Sequence, residues 1–358
     1  MRLFADQKRL LASALAMMIV VCYLSFTSVP LVANAENTNP ITEGALKYSD
    51  ESHYEGSLEW GKIRTGNGTF TWSTGEVYEG MWEKDIQNGQ GKMTWPGLGE
   101  YEGHFVDGKR EGQGTFTWIY EGTPETGKPV SYQGQWTNDQ IGPVGTMTFA
   151  GLGIYEGDFS KNARSGVGRF IWDNGDEYYG SWSDDKINGT GVFTASDGTV
   201  LEGTFVNNVL NKGVASYLVN GGKAVRDVQG GKSLATVSIV YDDGTTVSGK
   251  LKGDVFTGNV NITYASGDTY VGTISNGVKN GKGTYTWKNG AHYVGEWVND
   301  KMSGKGKYCY TSNDNVEYLS GTFLNGSPSG KLIYMSEKKL RYETTWSNGK
   351  CVDIKYKK

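Results

Sequence analysis

The feature that most constrains this chain is a short aromatic motif that returns about every 23 residues. Each copy has a tyrosine, a glycine two residues later and a tryptophan or phenylalanine two residues after that, and a Gly-x-Gly follows. A fixed period of this length indicates a repeat protein, in which each copy is one supersecondary unit that stacks on its neighbours. Clear copies start at Tyr78, Tyr101, Tyr132, Tyr155, Tyr178, Leu201, Tyr270 and Tyr293, weaker ones at Tyr54, Val247, Leu319 and Tyr342, and a degenerate one near Ala224.

Each copy is expected to form a β-hairpin, because apolar residues recur at every second position on both sides of a turn. In one copy, Tyr78, Gly80 and Trp82 lie on one face of the first strand, and Gly91 and Met93 lie on the same face of the second. A glycine beside a large ring leaves room for that ring. The aromatic residues and the glycines therefore belong to one face of the sheet.

Between the copies lie residue pairs that end in glycine. Such pairs suit tight turns with positive φ, so each hairpin is joined directly to the next. We predict an all-β fold: an elongated single-layer antiparallel β-hairpin repeat array of thirteen copies, plus one N-terminal hydrophobic helix. The turn pairs are Thr74-Gly75, Asn174-Gly175, Asp197-Gly198, Asp243-Gly244, Ser266-Gly267 and Asn289-Gly290.

The copies resemble the MORN repeat (membrane occupation and recognition nexus), whose pattern is Y-x-G-x-[WF], a short turn and then G-x-G. The resemblance covers residues 54–358. Two copies depart from the pattern: the one near Ala224 lacks both tyrosine and glycine, and the last has Thr344 in place of glycine. The resemblance implies a single sheet used for binding and assembly, with any enzymatic activity in an attached domain.

The N-terminal segment has the pattern of an export signal. Arg2, Lys8 and Arg9 precede an apolar stretch over residues 10–26, and Ala33-Asn34-Ala35 offers small residues for a peptidase. We predict cleavage after Ala35, with an uncleaved membrane anchor as the alternative. In both cases the repeats lie outside the cytoplasm, secreted or in the cell envelope, because positive charges stay on the cytoplasmic side.

These patterns divide the chain into five segments. They are a signal peptide or signal anchor at 1–35, a linker at 36–53, the first part of the array at 54–223 with an insertion at about 120–130, a degenerate repeat at 224–246, and the second part with a C-terminal cap at 247–358.

Charge and cysteine content exclude some partners and bonds. The whole chain has a net charge of -4 and residues 1–35 contribute +2, so the remainder is at -6 and does not favour nucleic acid. Cys309 and Cys351 are expected about three strands, or ~14 Å, apart. A disulfide needs Cα atoms within about 7 Å, so we predict two free thiols.

No constellation in the sequence predicts catalysis, a cofactor or a metal. Residues 230–233 resemble the end of a phosphate-binding loop, but Arg226 stands where its first glycine belongs. His53, His104 and His292 are scattered without metal-ligand spacing, and a solvated strand edge is expected for His53 and His292. We therefore predict no catalytic residue, no cofactor and no metal site.

The aromatic face is the candidate binding face, since one sheet without a helix layer cannot cover all its rings. We expect an exported, non-catalytic binding or scaffold protein that recognises a protein or a cell-envelope polymer. A membrane-surface, lipid-associated adaptor and an envelope enzyme are the alternatives. Membrane contact through the N-terminal segment and self-association through the sheet edges are further hypotheses. The candidate residues are Tyr78, Trp82, Trp95, Tyr101, Phe105, Trp118, Tyr132, Trp136, Tyr155, Phe159, Trp172, Tyr178, Trp182, Tyr270, Trp287, Tyr293 and Trp297.

Overall fold

A computed structural model describes residues 40–357, which form one long antiparallel sheet of 29 strands. Residues 40–357 contain no helix, and so no helix there is long and apolar enough to cross a membrane. The prediction of an all-β antiparallel repeat sheet is confirmed. The predicted N-terminal helix and export signal lie outside the described residues.

The strands follow one another along the chain, and each pairs with the next. Two short strands, β17 and β26, are exceptions, since β18 and β27 then continue along the same neighbours, β16 and β25. The strands are β1 (Ile41–Lys47), β2 (His53–Glu59), β3 (Ile63–Thr71), β4 (Val77–Glu83), β5 (Ile86–Trp95), β6 (Gly99–Val106), β7 (Lys109–Trp118), β8 (Pro129–Thr137), β9 (Gln140–Phe149), β10 (Gly153–Ser160), β11 (Ala163–Trp172), β12 (Glu177–Ser183), β13 (Lys186–Thr194), β14 (Val200–Val206), β15 (Val209–Val219), β16 (Gly222–Gln229), β17 (Lys232–Ser233), β18 (Thr236–Tyr241), β19 (Thr246–Lys252), β20 (Val255–Thr263), β21 (Thr269–Ser275), β22 (Val278–Thr286), β23 (His292–Val298), β24 (Lys301–Cys309), β25 (Tyr318–Leu324), β26 (Ser327–Pro328), β27 (Gly330–Met335), β28 (Arg341–Ser347) and β29 (Lys350–Lys357).

The repeat glycines stand opposite one another, so that they form a row across the sheet. Gly68 pairs with Gly80, Gly80 with Gly91, and Gly91 with Gly103. Inside each hairpin the register shifts just after this row, as between Gly80 and Trp82. Such a bulge bends the strand locally. The row therefore leaves a strip without side chains along the aromatic face.

The turns between copies have the conformation that their sequences predict. At the six predicted turn pairs the glycine φ lies between 86° and 95°. The turns inside the hairpins instead use Asn and Asp in the left-handed region, as at Asn138 (φ 50°) and Asp139 (φ 67°). Short polar side chains tolerate this region because they bond to nearby backbone groups.

Strand β1 lies inside residues 36–53, the segment that we interpreted as a linker, and pairs with β2. Gly44 stands opposite Gly56 and Leu46 opposite Tyr54, so β1 has the register of the second strand of a repeat. Its Gly44, Leu46 and Tyr48 have the spacing found at the end of every complete copy. That spacing is the sequence signal that identifies this half repeat.

The degenerate copy near Ala224 interrupts the aromatic core but not the sheet. The ladder runs without a break from β15 through β16 to β18. Ala224 is fully buried where most other copies have tyrosine. The buried residues fall into two clusters, one that ends at Val228 and one that starts at Ala224. Leu201 and Val247, at the same position of the neighbouring copies, also lack a ring, so contacts between rings stop at Phe205 and resume at Tyr264.

Candidate binding site on the aromatic face

The repeat tyrosines form the deepest layer of the aromatic face. Tyr101 is fully buried and lies over Gly103 and Gly114, where a Cβ atom on either glycine would overlap its ring or hydroxyl group. Its hydroxyl donates a hydrogen bond of 3.1 Å to the carbonyl oxygen of His104, three residues on. The same bond recurs at Tyr54, Tyr78, Tyr132, Tyr155, Tyr178, Tyr270 and Tyr293.

The first-strand tryptophans and phenylalanines connect these tyrosines into a continuous stack. Phe105 meets Tyr78 and Tyr101 edge to face, each at 5.1 Å between ring centroids. Trp136 meets Tyr101 and Tyr132 in the same way, at 5.2 and 5.4 Å. Each such pair contributes about 0.5–1.5 kcal/mol beyond its buried area. The stack is therefore the core of a sheet that has no second layer among residues 40–357.

The structure divides the predicted binding residues into a buried set and a half-buried set. All of the tyrosines and all of the first-strand rings among them are buried. They stabilise the sheet and offer little surface to a partner. The predicted residues that keep an accessible ring are the four second-strand tryptophans, Trp95, Trp118, Trp172 and Trp287.

An arginine that the sequence analysis missed lies among these rings. The guanidinium carbon of Arg110 is 4.3 Å from the ring centroid of Trp136 and 5.7 Å from that of Phe116. Its Nε donates to Asp139 Oδ1 at 3.1 Å, and Nη2 donates to the Asp139 carbonyl oxygen at 2.8 Å. The side chain is only 19% exposed. Its positive charge is stabilised by one carboxylate and by the faces of the rings rather than by water.

The same arrangement, a basic side chain that lies over a core ring and bonds an aspartate, recurs at alternate copies, and we call it the clamp. Arg64 lies over Trp82 and Arg164 over Trp182, at 4.3 and 4.7 Å. Each bonds the aspartate of the next hairpin turn, as Lys279 does beneath Trp297. The copies between them have Gln87, Ile141 or Ile187 at this position. Copies with a charged residue at this position therefore alternate with copies that have a neutral one. Tryptophan and phenylalanine alternate on the first strands with the same two-copy period, and this alternation is the sequence signal for it.

The second-strand rings border a concave furrow on this face. One section has a volume of about 600 Å³. Trp95, Phe116, Trp118 and Phe149 supply flat apolar walls, while the Arg110–Asp139 pair supplies the charged groups. A second section of about 360 Å³ is lined by Trp172, Phe193 and Arg164, among other residues. Mostly apolar concave surfaces with a few placed polar groups are typical of ligand sites. We call these sections together the aromatic furrow.

Leu98 and Pro129 also line the furrow, and sequence reasoning missed both. Pro129 follows residues 119–128, which join β7 to β8, and its carbonyl oxygen accepts a hydrogen bond of 2.8 Å from the Tyr120 hydroxyl. The inserted residues therefore help to shape one wall of the furrow. The signal for this was the 31-residue spacing between Tyr101 and Tyr132.

The titration of the tyrosines reflects their burial. Loss of solvent raises the pKa of Tyr78 and Tyr132 to about 12. At Tyr101 burial is again the largest cause, and Arg110 opposes it. These phenols are therefore neutral at physiological pH and act as hydrogen-bond donors to the backbone.

His292 does not lie on a solvated strand edge, so that prediction was wrong. Its side chain is buried, with 7% of the residue exposed, and it stands directly across from Cys309, which is fully buried. Residues 310–317, between β24 and β25, bring Asp314 onto the imidazole. Cys309 and Cys351 are both free thiols in the structure.

A family model for the MORN repeat matches the chain eight times, at residues 54–77, 78–97, 101–119, 132–151, 155–177, 178–200, 270–292 and 293–315. The chain contains MORN repeats. The matched MORN repeats lie on both sides of the unmatched residues 201–269, which include the place where the aromatic core is interrupted. The Arg110 clamp connects two of these matched repeats, 101–119 and 132–151. No curated protein matches the chain.

Two solved structures resemble the MORN array only weakly. The first is the TCP10 domain of Danio rerio CPAP in complex with a STIL peptide, with 10% identity, a TM-score of 0.18, and coverage of 72% of this chain and 94% of that one. The second is the TCP domain of Drosophila melanogaster SAS-4 in complex with a proline-rich motif of Ana2, with 12% identity, a TM-score of 0.14, and coverage of 69% and 99%. Likenesses at these scores support no conclusion about this chain.

Proposed function

We propose that this chain is an exported, non-catalytic binding or scaffold protein that holds a protein or a cell-envelope polymer in its aromatic furrow. MORN repeats suggest a protein-binding or scaffold role. The observation that carries the proposal is the furrow section of about 600 Å³ beside Arg110, because it leaves aromatic surface accessible after the core is complete.

The half-buried rings are suited to the role of contact residues. Trp95 and Trp118 are held in place by packing against the core. A fixed ring offers a large contact area at a low cost in conformational entropy. Flat ring faces accept proline, aliphatic side chains or the apolar face of a sugar. A polyanion is a poor match for the exported part, because its net charge is -6.

The export part of the proposal is supported by the N-terminal sequence pattern alone. It is tested by mass measurement of the chain from its native cells, together with protease treatment of intact cells. A mature N-terminus at Glu36 and cleavage of the repeats from outside are expected. An intact N-terminus on a protected, cytosolic chain would overturn it.

The binding part is tested by cross-linking in intact cells, followed by capture of the array with its partner. Trp118→Ser should reduce the captured partner while the array stays folded. Trp60→Asn is the matched control, since Trp60 is 51% exposed in a turn and does not line the furrow. Equal capture by the two folded variants would contradict binding in the furrow.

A further inference from the structure

Three departures from the repeat pattern meet at one point of the sheet, in the hairpin of β23 and β24. His292 occupies the position before the repeat tyrosine, Cys309 replaces a threonine that most other copies have, and an insertion lengthens the connection to β25. In the first hairpin the same cross-strand position pairs His53 with Thr71 and has no cysteine. Three changes at one point of the sheet suggest that these side chains act together.

The three side chains offer their ligand atoms within 4.8 Å of one another. His292 Nε2 is 2.7 Å from Asp314 Oδ1, and Cys309 Sγ is 3.9 Å from the Asp314 carbonyl oxygen. His292 and Cys309 are buried, whereas the Asp314 side chain is 59% exposed. The cluster is thus built on two rigid strands and is open to solvent on the loop side.

The surroundings of His292 suit a metal ligand. Its Nδ1 lies 3.3 Å from the Gly290 carbonyl oxygen, to which an Nδ1–H can donate, and its Nε2 faces the Asp314 carboxylate. With Nδ1–H bonded to the backbone, the Nε2 lone pair is directed at the side of the cluster where Asp314 lies. A metal-binding histidine commonly donates its other N–H to a backbone carbonyl, the arrangement found here.

We propose that His292 Nε2, Cys309 Sγ and Asp314 bind one Zn²⁺ ion, which fixes residues 310–317 to the sheet. One nitrogen, one sulfur and one oxygen ligand are a set that Zn²⁺ accepts in tetrahedral geometry, with water in the fourth position. Binding releases the thiol proton to solvent, together with any proton on Nε2. Burial raises the pKa of the Cys309 thiol, so without metal the thiol keeps its proton.

The test is a titration of the untagged, reduced and metal-free protein with Zn²⁺ against a chromogenic chelator. We expect one equivalent to bind to the natural protein and to Cys351→Ser, which alters the exposed cysteine. Cys309→Thr restores the residue that most other copies carry, so it should fold, and it should bind Zn²⁺ at least about 100-fold more weakly, beyond the loss typical of outer-shell changes. Asp314→Asn, in the exposed loop, should also weaken binding.

Two readouts separate a metal site from a structural role. Co²⁺ should give a thiolate charge-transfer absorption in the natural protein that is absent in Cys309→Thr. Zn²⁺ should raise the thermal unfolding midpoint of the natural protein and of Cys351→Ser but not that of Cys309→Thr. Absence of tight Zn²⁺ binding, or equal affinity in the natural protein and Cys309→Thr, would overturn the proposal.

Discussion

Arg110 and Trp136 belong to successive repeats, and the guanidinium carbon of Arg110 lies 4.3 Å from the centroid of the Trp136 ring. The same arginine bonds Asp139, in the turn that follows Trp136. One side chain therefore ties a strand of one hairpin to both the core ring and the turn of the next. This contact also places a charged pair beside the furrow that we propose as the binding site.

Arg110→Gln should destabilise the array. The neutral side chain occurs naturally at Gln87, so the backbone accepts it, but the cation and its bonds to Asp139 are lost. A buried cation over a ring is worth up to about 2 kcal/mol. We expect a loss of that order in denaturant unfolding, with Arg110→Lys less affected because Lys279 fills the same role. An Arg110→Gln variant as stable as the exposed control Lys62→Gln would contradict the clamp.

Gly114→Ala should destabilise the array through a steric clash. The new methyl group would overlap the ring of Tyr101, which is fully buried and cannot move aside without breaking its contacts with Phe105 and Trp136. Overpacking of a dense core typically costs about 1–3 kcal/mol. Gln113→Ala changes an exposed neighbour on the other face and serves as control. Equal unfolding midpoints for these two variants would exclude the nesting of rings over glycines.

Stability should fall between about pH 10 and pH 12. Burial raises the pKa of Tyr78, Tyr132, Tyr178 and Tyr293 from 10.0 to about 12, so the folded state holds protons that the unfolded state releases first. Their contribution is complete below pH 10 and is lost as the pH rises through the folded value. The phenolate absorbance of the buried tyrosines should appear together with the loss of circular dichroism, separate from that of exposed tyrosines such as Tyr179. Ionisation of these tyrosines at pH 10 in a folded array would show that they are not buried.

The sequence predicted the sheet because its strongest signals are local. Turn glycines, period-two alternation and the tyrosine-glycine spacing each act within one hairpin, and neighbouring hairpins repeat them. Strand β1 was not predicted because half a repeat carries no tyrosine-glycine pair of its own. The burial of His292 was not predicted because it depends on the loop of residues 310–317, whose path the repeat does not specify.

The candidate site was predictable as a face but not in its contact residues. Trp136 and Trp118 both fall on the aromatic face by alternation, yet the first is buried and the second half-buried. The difference comes from the preceding hairpin, since Trp136 packs on its Tyr101 and Phe116, whereas Trp118 lies at the end of its own strand. Arg110 was missed because a charged residue on a core face is unusual unless a partner such as Asp139 neutralises it.

Binding in the aromatic furrow is tested most directly by a photo-crosslinking amino acid placed in intact cells at position 118 or at position 117. Trp118 borders the furrow, and Thr117 is exposed on the opposite face of the same strand. Both variants should fold, and the pair differs only in the face that it probes. We predict a discrete cross-linked partner from position 118 and none from position 117. A partner captured from position 117 alone would contradict binding in the aromatic furrow.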